Sequence, residues 1–283
     1  LPTVSGLELQ LDASNPFGNL SLPANGTKLS TWSDLSGNGN HATQPTAAEQ
    51  PAWIAGDAST IGGIPTLRFD GNDTIATTTL FDNSYSVFTV SKLEGTQNLR
   101  LISSDTQNWL LGYWSGGEDR MYANGWVSQT GSTATTNPHM YIGTATGSAG
   151  GTSFYDGDRT IVTGSSAVGP IGEIQLGGEY FANPGTEISK GDVSEVLIYD
   201  GVVSAADRNA IGFYLAQKYG FNMFGYSGPA LGNGSAMDFS NTNVNVTADT
   251  NLDVNNDGTR VPFGNLDLAA TTNLTLGGAA ADV

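Results

Sequence analysis

The chain has 283 residues, ten Lys and Arg against twenty-seven Asp and Glu, a net charge of −17 and no cysteine. A nucleic-acid binder needs a basic footprint to neutralise phosphates, which rules that class out, and an anionic membrane surface is disfavoured for the same reason. Disulfides, thiolate metal sites and cysteine nucleophiles go with the missing thiols.

The hydrophobic fraction of 38%, the 13% of charged residues and the 38 glycines describe a turn-rich chain, with aromatic side chains enough for a core. No apolar run approaches the length of a membrane span. Leu1-Pro2-Thr3-Val4 has neither a basic start nor an apolar stretch. The expectation is therefore a mature exported chain from which a leader has been removed.

The first element is a strand. Leu7, Leu9 and Leu11 alternate with Glu8, Gln10 and Asp12, the period of a half-buried strand. Residues 31–44 then hold Trp32, Asp34 and Ser36 ahead of Gly37-Asn38-Gly39-Asn40-His41, a tight polar loop. Val87-Phe88-Thr89-Val90 reads as a buried strand, and Ile174 to Leu176 and Val193 to Tyr199 read as further strands. Turn clusters punctuate them at Gly116 to Asp119, Asp156 to Asp158 and Asn183 to Gly185. Many short strands separated by Gly, Asn and Asp mean an antiparallel sandwich.

One helix follows. Ser204 is a good N-cap, and Asp207 stands three residues later in a capping-box arrangement. Ile211, Tyr214, Leu215 and Lys218 fall on one face, and Gly220 can supply the left-handed stop. The helix should cover one side or end of the sandwich. Residues 225–236 read as a linker. Beyond it a 22-residue repeat aligns Asn243 to Val254 with Asn265 to Leu276. Its apolar positions are Val244, Val246, Leu252 and Val254, matched by Leu266, Leu268, Leu274 and Leu276. Each unit reads as two short alternating strands around a turn. Two units fall short of what a solenoid needs to stand alone, so through these eight residues the tail should dock on the sandwich, pair with another chain, or continue into further repeats.

Several stretches taken together carry a family resemblance. They are Leu11-Asp12-Ala13-Ser14, Trp32 to Ala42, Phe69 to Asp73, Glu195 to Asp200, and Tyr214 to Gly220. In order and spacing they resemble a laminin-G-like, concanavalin A-like jelly-roll domain of bacterial exported surface proteins, over residues 7–221. The resemblance implies an all-β jelly-roll β-sandwich with one short helix at 1–224, followed by the linker at 225–236 and the β-repeat tail at 237–283. Function follows poorly from it, since this fold hosts lectins, adhesive modules and glycan hydrolases alike.

Jelly-roll glucanases of that superfamily carry two glutamates on one strand face as nucleophile and general acid. No such spacing occurs here. Glu118 and Asp119 fall in a glycine turn, and Glu195 has no same-face acid partner, since Asp192 at three residues' distance is on the opposite face. His41 and His139 fall in turn-like contexts. The chain is read as not an enzyme.

Two oxygen-rich loops could hold calcium, the cofactor expected. Asp253, Asn255 and Asp257, followed by Gly258, match the first half of an EF-hand loop, although Gly264 stands where the bidentate Glu belongs. Asp70 and Asp73 flank the second loop. For glycan, Trp109 to Trp114 and Tyr122 to Trp126 read as neighbouring strands. Trp109 and Tyr113 share one face and Trp114 points to the other, so one set should reach the surface. The candidate sugar-binding residues are Trp109, Tyr113, Trp114, Asn124 and Trp126. The whole reads as a non-catalytic extracellular or cell-surface adhesion protein that binds glycan or neighbouring copies of itself. The alternative is a carbohydrate-binding module of a polysaccharide-degrading system, and a glycoside hydrolase is more distant.

Overall fold

The computed structural model describes residues 1–95 and 99–221, and beyond them the backbone of four strands within 239–277. The chain forms two compact units, Leu1–Ser227 and Gly228–Val283. The linker at 225–236 lies outside the described residues.

The first unit is an all-β jelly-roll sandwich of two large antiparallel sheets. The helix-side sheet runs in the order Arg159–Ser165, Thr152–Asp156, His139–Thr146, Ser84–Leu93, Lys190–Asp200, Thr66–Asp70, Ala52–Ile54 and Thr27–Lys28. The first strand, Leu7–Asp12, also pairs with Lys190–Asp200. The open sheet runs Trp126–Ser128, Gly117–Ala123, Trp109–Trp114, Ile102–Ser104, Ile174–Leu176, Ile75–Thr77, Ala42–Thr43 and Thr31–Trp32.

Between the sheets lies the main core, in which Trp32, Trp109, Tyr113, Tyr141, Phe69 and Phe154 are fully buried. Gly112 makes one of its contacts possible. It has φ of +98°, and a Cβ there would stand 2.5 Å from the Tyr141 ring. The ring packs where a side chain would be, and the register with the neighbouring strand slips at this point.

A second apolar cluster covers the other face of the helix-side sheet. Phe88, Val90, Met140, Ile142, Leu197 and Tyr199 pack there with Ile211, Leu215, Ala216 and Tyr219 of the helix Ala205–Tyr219. This sheet is thus apolar on both faces at its centre, which is why the consecutive Val87 and Phe88, which pack into different clusters, are both large and apolar. The helix begins and ends as its residues dictate. Ser204 Oγ accepts the Asp207 backbone N–H at 3.1 Å, and Gly220 adopts φ of +68° at the C-terminus.

Lys218 fastens the helix to the sheet. Its Nζ lies 2.7 Å from Asp12 Oδ2 and 2.8 Å from Glu195 Oε2, and Tyr219 Oη donates to the same Glu195 oxygen at 2.9 Å. Burial alone would lower the Lys218 pKa, but Glu195 and Asp12 outweigh it and hold the ammonium charged. Glu195 is 1% exposed under the helix, where it anchors the helix to the sheet.

The polar loop after Trp32 is a clasp. Asp34 accepts hydrogen bonds from the backbone N–H groups of Gln10, Ser36 and Asn40 at 2.9, 2.9 and 3.0 Å, and from Ser36 Oγ at 2.7 Å. Burial pushes its pKa up, and these donors more than reverse that, leaving it below the usual value. Asn38 and Asn40 donate to the Glu8 carbonyl at 3.3 and 2.8 Å, pinning the first strand. The glycine- and asparagine-rich wording of this loop therefore serves the fold.

Several local expectations are corrected. Glu118 and Asp119 lie on the strand Gly117–Ala123, because the turn is completed earlier, at Ser115 and Gly116. His139 opens the strand His139–Thr146 rather than a turn. Asn183 to Gly185 belong to the strand Asn183–Ile188, which pairs with Gly178–Tyr180 in a small hairpin.

In the second unit the four described strands are Phe239–Val246, Thr250–Asp253, Phe263–Leu268 and Leu274–Gly277. Among the described residues, strands within a repeat do not pair with each other. The first strand of one repeat pairs in parallel with the first of the next, and second with second. Asn243, Val244 and Val246 face Asn265, Leu266 and Leu268 at the 22-residue spacing, whereas Leu252 faces Leu276, two residues further on than the repeat alignment would place it. Stacked parallel rungs of this kind are solenoid architecture. Val254 lies outside the described residues.

Candidate functional site

The outer face of the open sheet carries an aromatic pocket of about 250 Å³. Its floor comes from alternation along Trp109–Trp114. Leu110 and Trp114 point outward, while Trp109, Leu111 and Tyr113 point into the core. The next strands add Tyr122 and Trp126. The Trp114 and Trp126 rings lie 5.1 Å apart at 58°, and Tyr122 meets Trp126 edge-on at 5.2 Å. All three rings are partly exposed. Aromatic faces held like this are what the apolar face of a sugar ring stacks on.

The polar wall comes from elsewhere in the chain. Asn108 and Arg100 flank the floor, and the hairpin strands Gly178–Tyr180 and Asn183–Ile188 bring Tyr180 and Glu187 over it. Arg100 Nε donates to Glu187 Oε2 at 2.6 Å, and its Nη2 donates to Asn108 Oδ1 at 3.0 Å. The Tyr180 ring centroid lies 4.9 Å from the guanidinium carbon. The Glu187 and Glu179 backbones have positive φ of 62° and 127°. Such conformations cost about 1–3 kcal/mol each and survive where the surroundings impose them. Here the imposing contacts include the Arg100 backbone N–H donating to the Glu187 carbonyl at 3.0 Å, and Glu179 accepting from Gln175 Nε2 at 2.7 Å.

Of the five residues expected at a sugar site, Trp114 and Trp126 line this pocket. Trp109 and Tyr113 do not, because both are fully buried between the sheets, where Trp109 Nε1 donates to Tyr85 Oη at 2.9 Å. Asn124 is outside it as well. With φ of 49° it forms the hairpin turn with Gly125, a use asparagine is suited to. Sequence reasoning missed Arg100, Asn108, Tyr180 and Glu187 as site residues. Tyr122 to Trp126, expected as one strand, is instead a hairpin turn, and Tyr122 reaches the pocket as the cross-strand partner of Trp126.

The acidic loop at 70–73 is held by a lysine. Lys28 Nζ lies 3.0 Å from both Asp73 oxygens and 3.9 Å from Asp70 Oδ2, and the Asp70 backbone N–H donates to Asp73 at 3.1 Å. This lysine supplies the positive charge beside both carboxylates. Asp253 ends a described strand, and Asn255 and Asp257 lie outside the described residues.

A second polar cluster bridges the two sheets. Asp119 on the open sheet and Asp156 and His139 on the helix-side sheet converge, with their candidate ligand atoms within 4.8 Å of one another. Arg159 Nη2 lies between the carboxylates, 2.9 Å from Asp119 and 3.0 Å from Asp156. His139 stacks on Tyr141 at 4.8 Å, with Nδ1 3.0 Å from Asp156 Oδ2 and Nε2 3.4 Å from Glu118 Oε2. Burial would lower the His139 pKa, but Asp156, Glu118 and Asp119 outweigh it and raise it above 6.5. A raised folded-state pKa contributes stability that is full below pH 6.5 and is lost as pH rises through the folded value. Replacing His139 by Gln is therefore expected to lower stability at pH 6 by about 1.5–3 kcal/mol, the worth of a hydrogen bond to a charged group. The deficit should shrink at pH 9. Thermal melts of both proteins at the two pH values check this, and an equal deficit at both would remove the charge from the account.

No protein-family model matches the chain, and no curated protein sequence does. Solved structures show the same fold. The sialidase of Trypanosoma rangeli in complex with sialic acid matches 76% of this chain with a TM-score of 0.51 and 15% identity. This chain covers 34% of that one, so it spans about a third of the sialidase. Domain 4 of AbnA, a GH43 extracellular arabinanase from Geobacillus stearothermophilus, in complex with arabinotriose, matches 72% of this chain and 96% of its own, at 16% identity and a TM-score of 0.48. The binding domain of Paraclostridial Mosquitocidal Protein 1 matches 74% of this chain and 52% of its own, at 13% identity and a TM-score of 0.49. At these identities the likeness concerns the β-sandwich fold alone.

Proposed function

We propose that the sandwich is a non-catalytic carbohydrate-binding domain of the laminin-G-like kind, working outside the cell or at its surface. The observation that carries this reading is the pocket in which Trp114, Trp126 and Tyr122 present their rings beside Asn108, Arg100 and Glu187. Stacking surface with adjacent hydrogen-bonding groups is the chemistry a sugar ring asks for. Glu187 is the one carboxylate lining the pocket among the described residues, and Arg100 holds it. Glycoside hydrolysis by the usual route asks for two carboxyl groups about 5–9.5 Å apart. Titrating a panel of oligosaccharides while following tryptophan fluorescence, with a parallel assay for released sugar, tests both halves. Saturable binding without cleavage is expected. Cleavage, or no response to any glycan, would overturn the reading.

A second reading concerns the tail. Its strands pair in parallel as stacked rungs, and each two-stranded sheet leaves two edges unpaired among the described residues. An open edge of backbone N–H and C=O groups is a template for another rung, and a second copy of the chain supplies one. Val244, Val246, Leu252, Leu266, Leu268, Leu274 and Leu276 lie on the strands that would carry this assembly. Truncation after Ser227 is expected to leave the sandwich folded on its own core and to abolish self-association in light scattering. Equal association of truncated and full chains would refute it.

A further inference from the structure

We infer that the pocket selects an uncharged, hydroxyl-bearing sugar ring and rejects an acidic one. This rests on the carbohydrate-binding reading above. Proteins that recognise a carboxylated sugar offer it a free guanidinium fork or ammonium group. Among the described residues Arg100 is the sole cation lining this pocket, and it is committed elsewhere. Its side chain is 5% exposed. Nε donates to Glu187, Nη2 to Asn108, and Nη1 to the Trp109 carbonyl at 3.4 Å, while the Tyr180 ring lies against the guanidinium.

What faces the ligand instead is a carboxylate. Glu187 is 27% exposed, and Arg100 takes only its Oε2. Oε1 has no hydrogen-bond partner among the described residues and can accept from sugar hydroxyls. Asn108 spends its Oδ1 on Arg100 and keeps its amide N–H groups to donate. An acceptor and a donor side by side suit vicinal hydroxyls. A sugar carboxylate would meet Glu187 as a like charge, in a chain that already carries −17. The volume of about 250 Å³ is below the roughly 300–1,000 Å³ of pockets that enclose drug-sized ligands, which suits one ring rather than a run of them.

The test is a calorimetric titration of the full chain with matched pairs, galactotriose against trigalacturonate and lactose against sialyllactose, extended to xylo-, manno-, cello- and arabinotriose. At least one neutral sugar is expected to bind, at least tenfold tighter than any acidic member. Glu187→Gln removes the like charge and loosens Arg100, so the gap between neutral and acidic sugars should narrow by about tenfold. Acidic sugars binding as tightly as neutral ones to the unaltered protein would overturn this inference and leave the carbohydrate-binding reading standing. Binding of no sugar at all would overturn both. A gap unchanged in the Glu187→Gln protein, with the fold intact by its melting curve, would remove Glu187 as its cause.

Discussion

Replacing Trp126 by alanine is expected to weaken sugar binding at least 20-fold while leaving the melting temperature within a few degrees. Its ring touches both Trp114, at 5.1 Å, and Tyr122, at 5.2 Å, so its loss opens the stacking surface from the middle. Aromatic anchors at the centre of a binding site typically cost 2 kcal/mol or more when truncated, and about 1.4 kcal/mol is a factor of ten. The fold should tolerate the change, because Trp126 is partly exposed on the outer face and contributes nothing to the core between the sheets. Trp109→Ala is the opposite case. That ring is fully buried, its Nε1 is bonded to Tyr85, and its removal should cost about 3–5 kcal/mol of stability. Calorimetric titration and thermal melts of the two variants separate the roles. Trp126→Ala binding as well as the unaltered protein would sink the pocket as the site.

Lys218→Met is expected to be among the most damaging single changes outside the apolar core. It leaves Asp12 and Glu195 facing each other without their shared cation, and Glu195 is almost wholly buried. Breaking a buried ion pair by removing one partner costs about 3–5 kcal/mol. For a domain of this size 1 kcal/mol moves the melting temperature by about 2–4 °C, so a drop of roughly 6–20 °C is expected. Adding Glu195→Gln to Lys218→Met should restore part of the loss, since the second substitution removes the stranded charge. Denaturant unfolding of the single and double variants measures this coupling. If the double variant were less stable than Lys218→Met alone, the stranded charge would not be the cause.

Much of the fold is written locally. The leucines at 7, 9 and 11, the Ser204 cap and the Gly220 stop each specify their structure through near neighbours, and periodicity or turn chemistry reads them directly. The Leu110/Trp114 face was legible for the same reason, since alternation is a property of one strand. What alternation leaves open is which face is outside. Trp109 and Tyr113 went to the core and Trp114 to the surface because the helix-side sheet lies against the first pair.

The polar half of the site had no local signature. Arg100, Asn108, Tyr180 and Glu187 are spread over 88 positions of chain and meet only when the hairpin ending at Ile188 folds over the open sheet. The Asp119, His139 and Asp156 cluster was hidden in the same way, drawn from three strands in two sheets. The tail shows the limit from the other direction. Its 22-residue repeat is plain in the sequence, but an alternating pattern is compatible with pairing inside a repeat or between repeats. The backbone ladder chose the second, in parallel, and shifted the second strand's register by two residues. The sequence by itself thus determined composition class, strand periodicity, the polar loop after Trp32, the helix ends and the repeat. Tertiary structure alone decided which aromatic face is open, which polar groups stand beside it and how the repeats pair, because those depend on contacts between segments whose separation in sequence carries no signal.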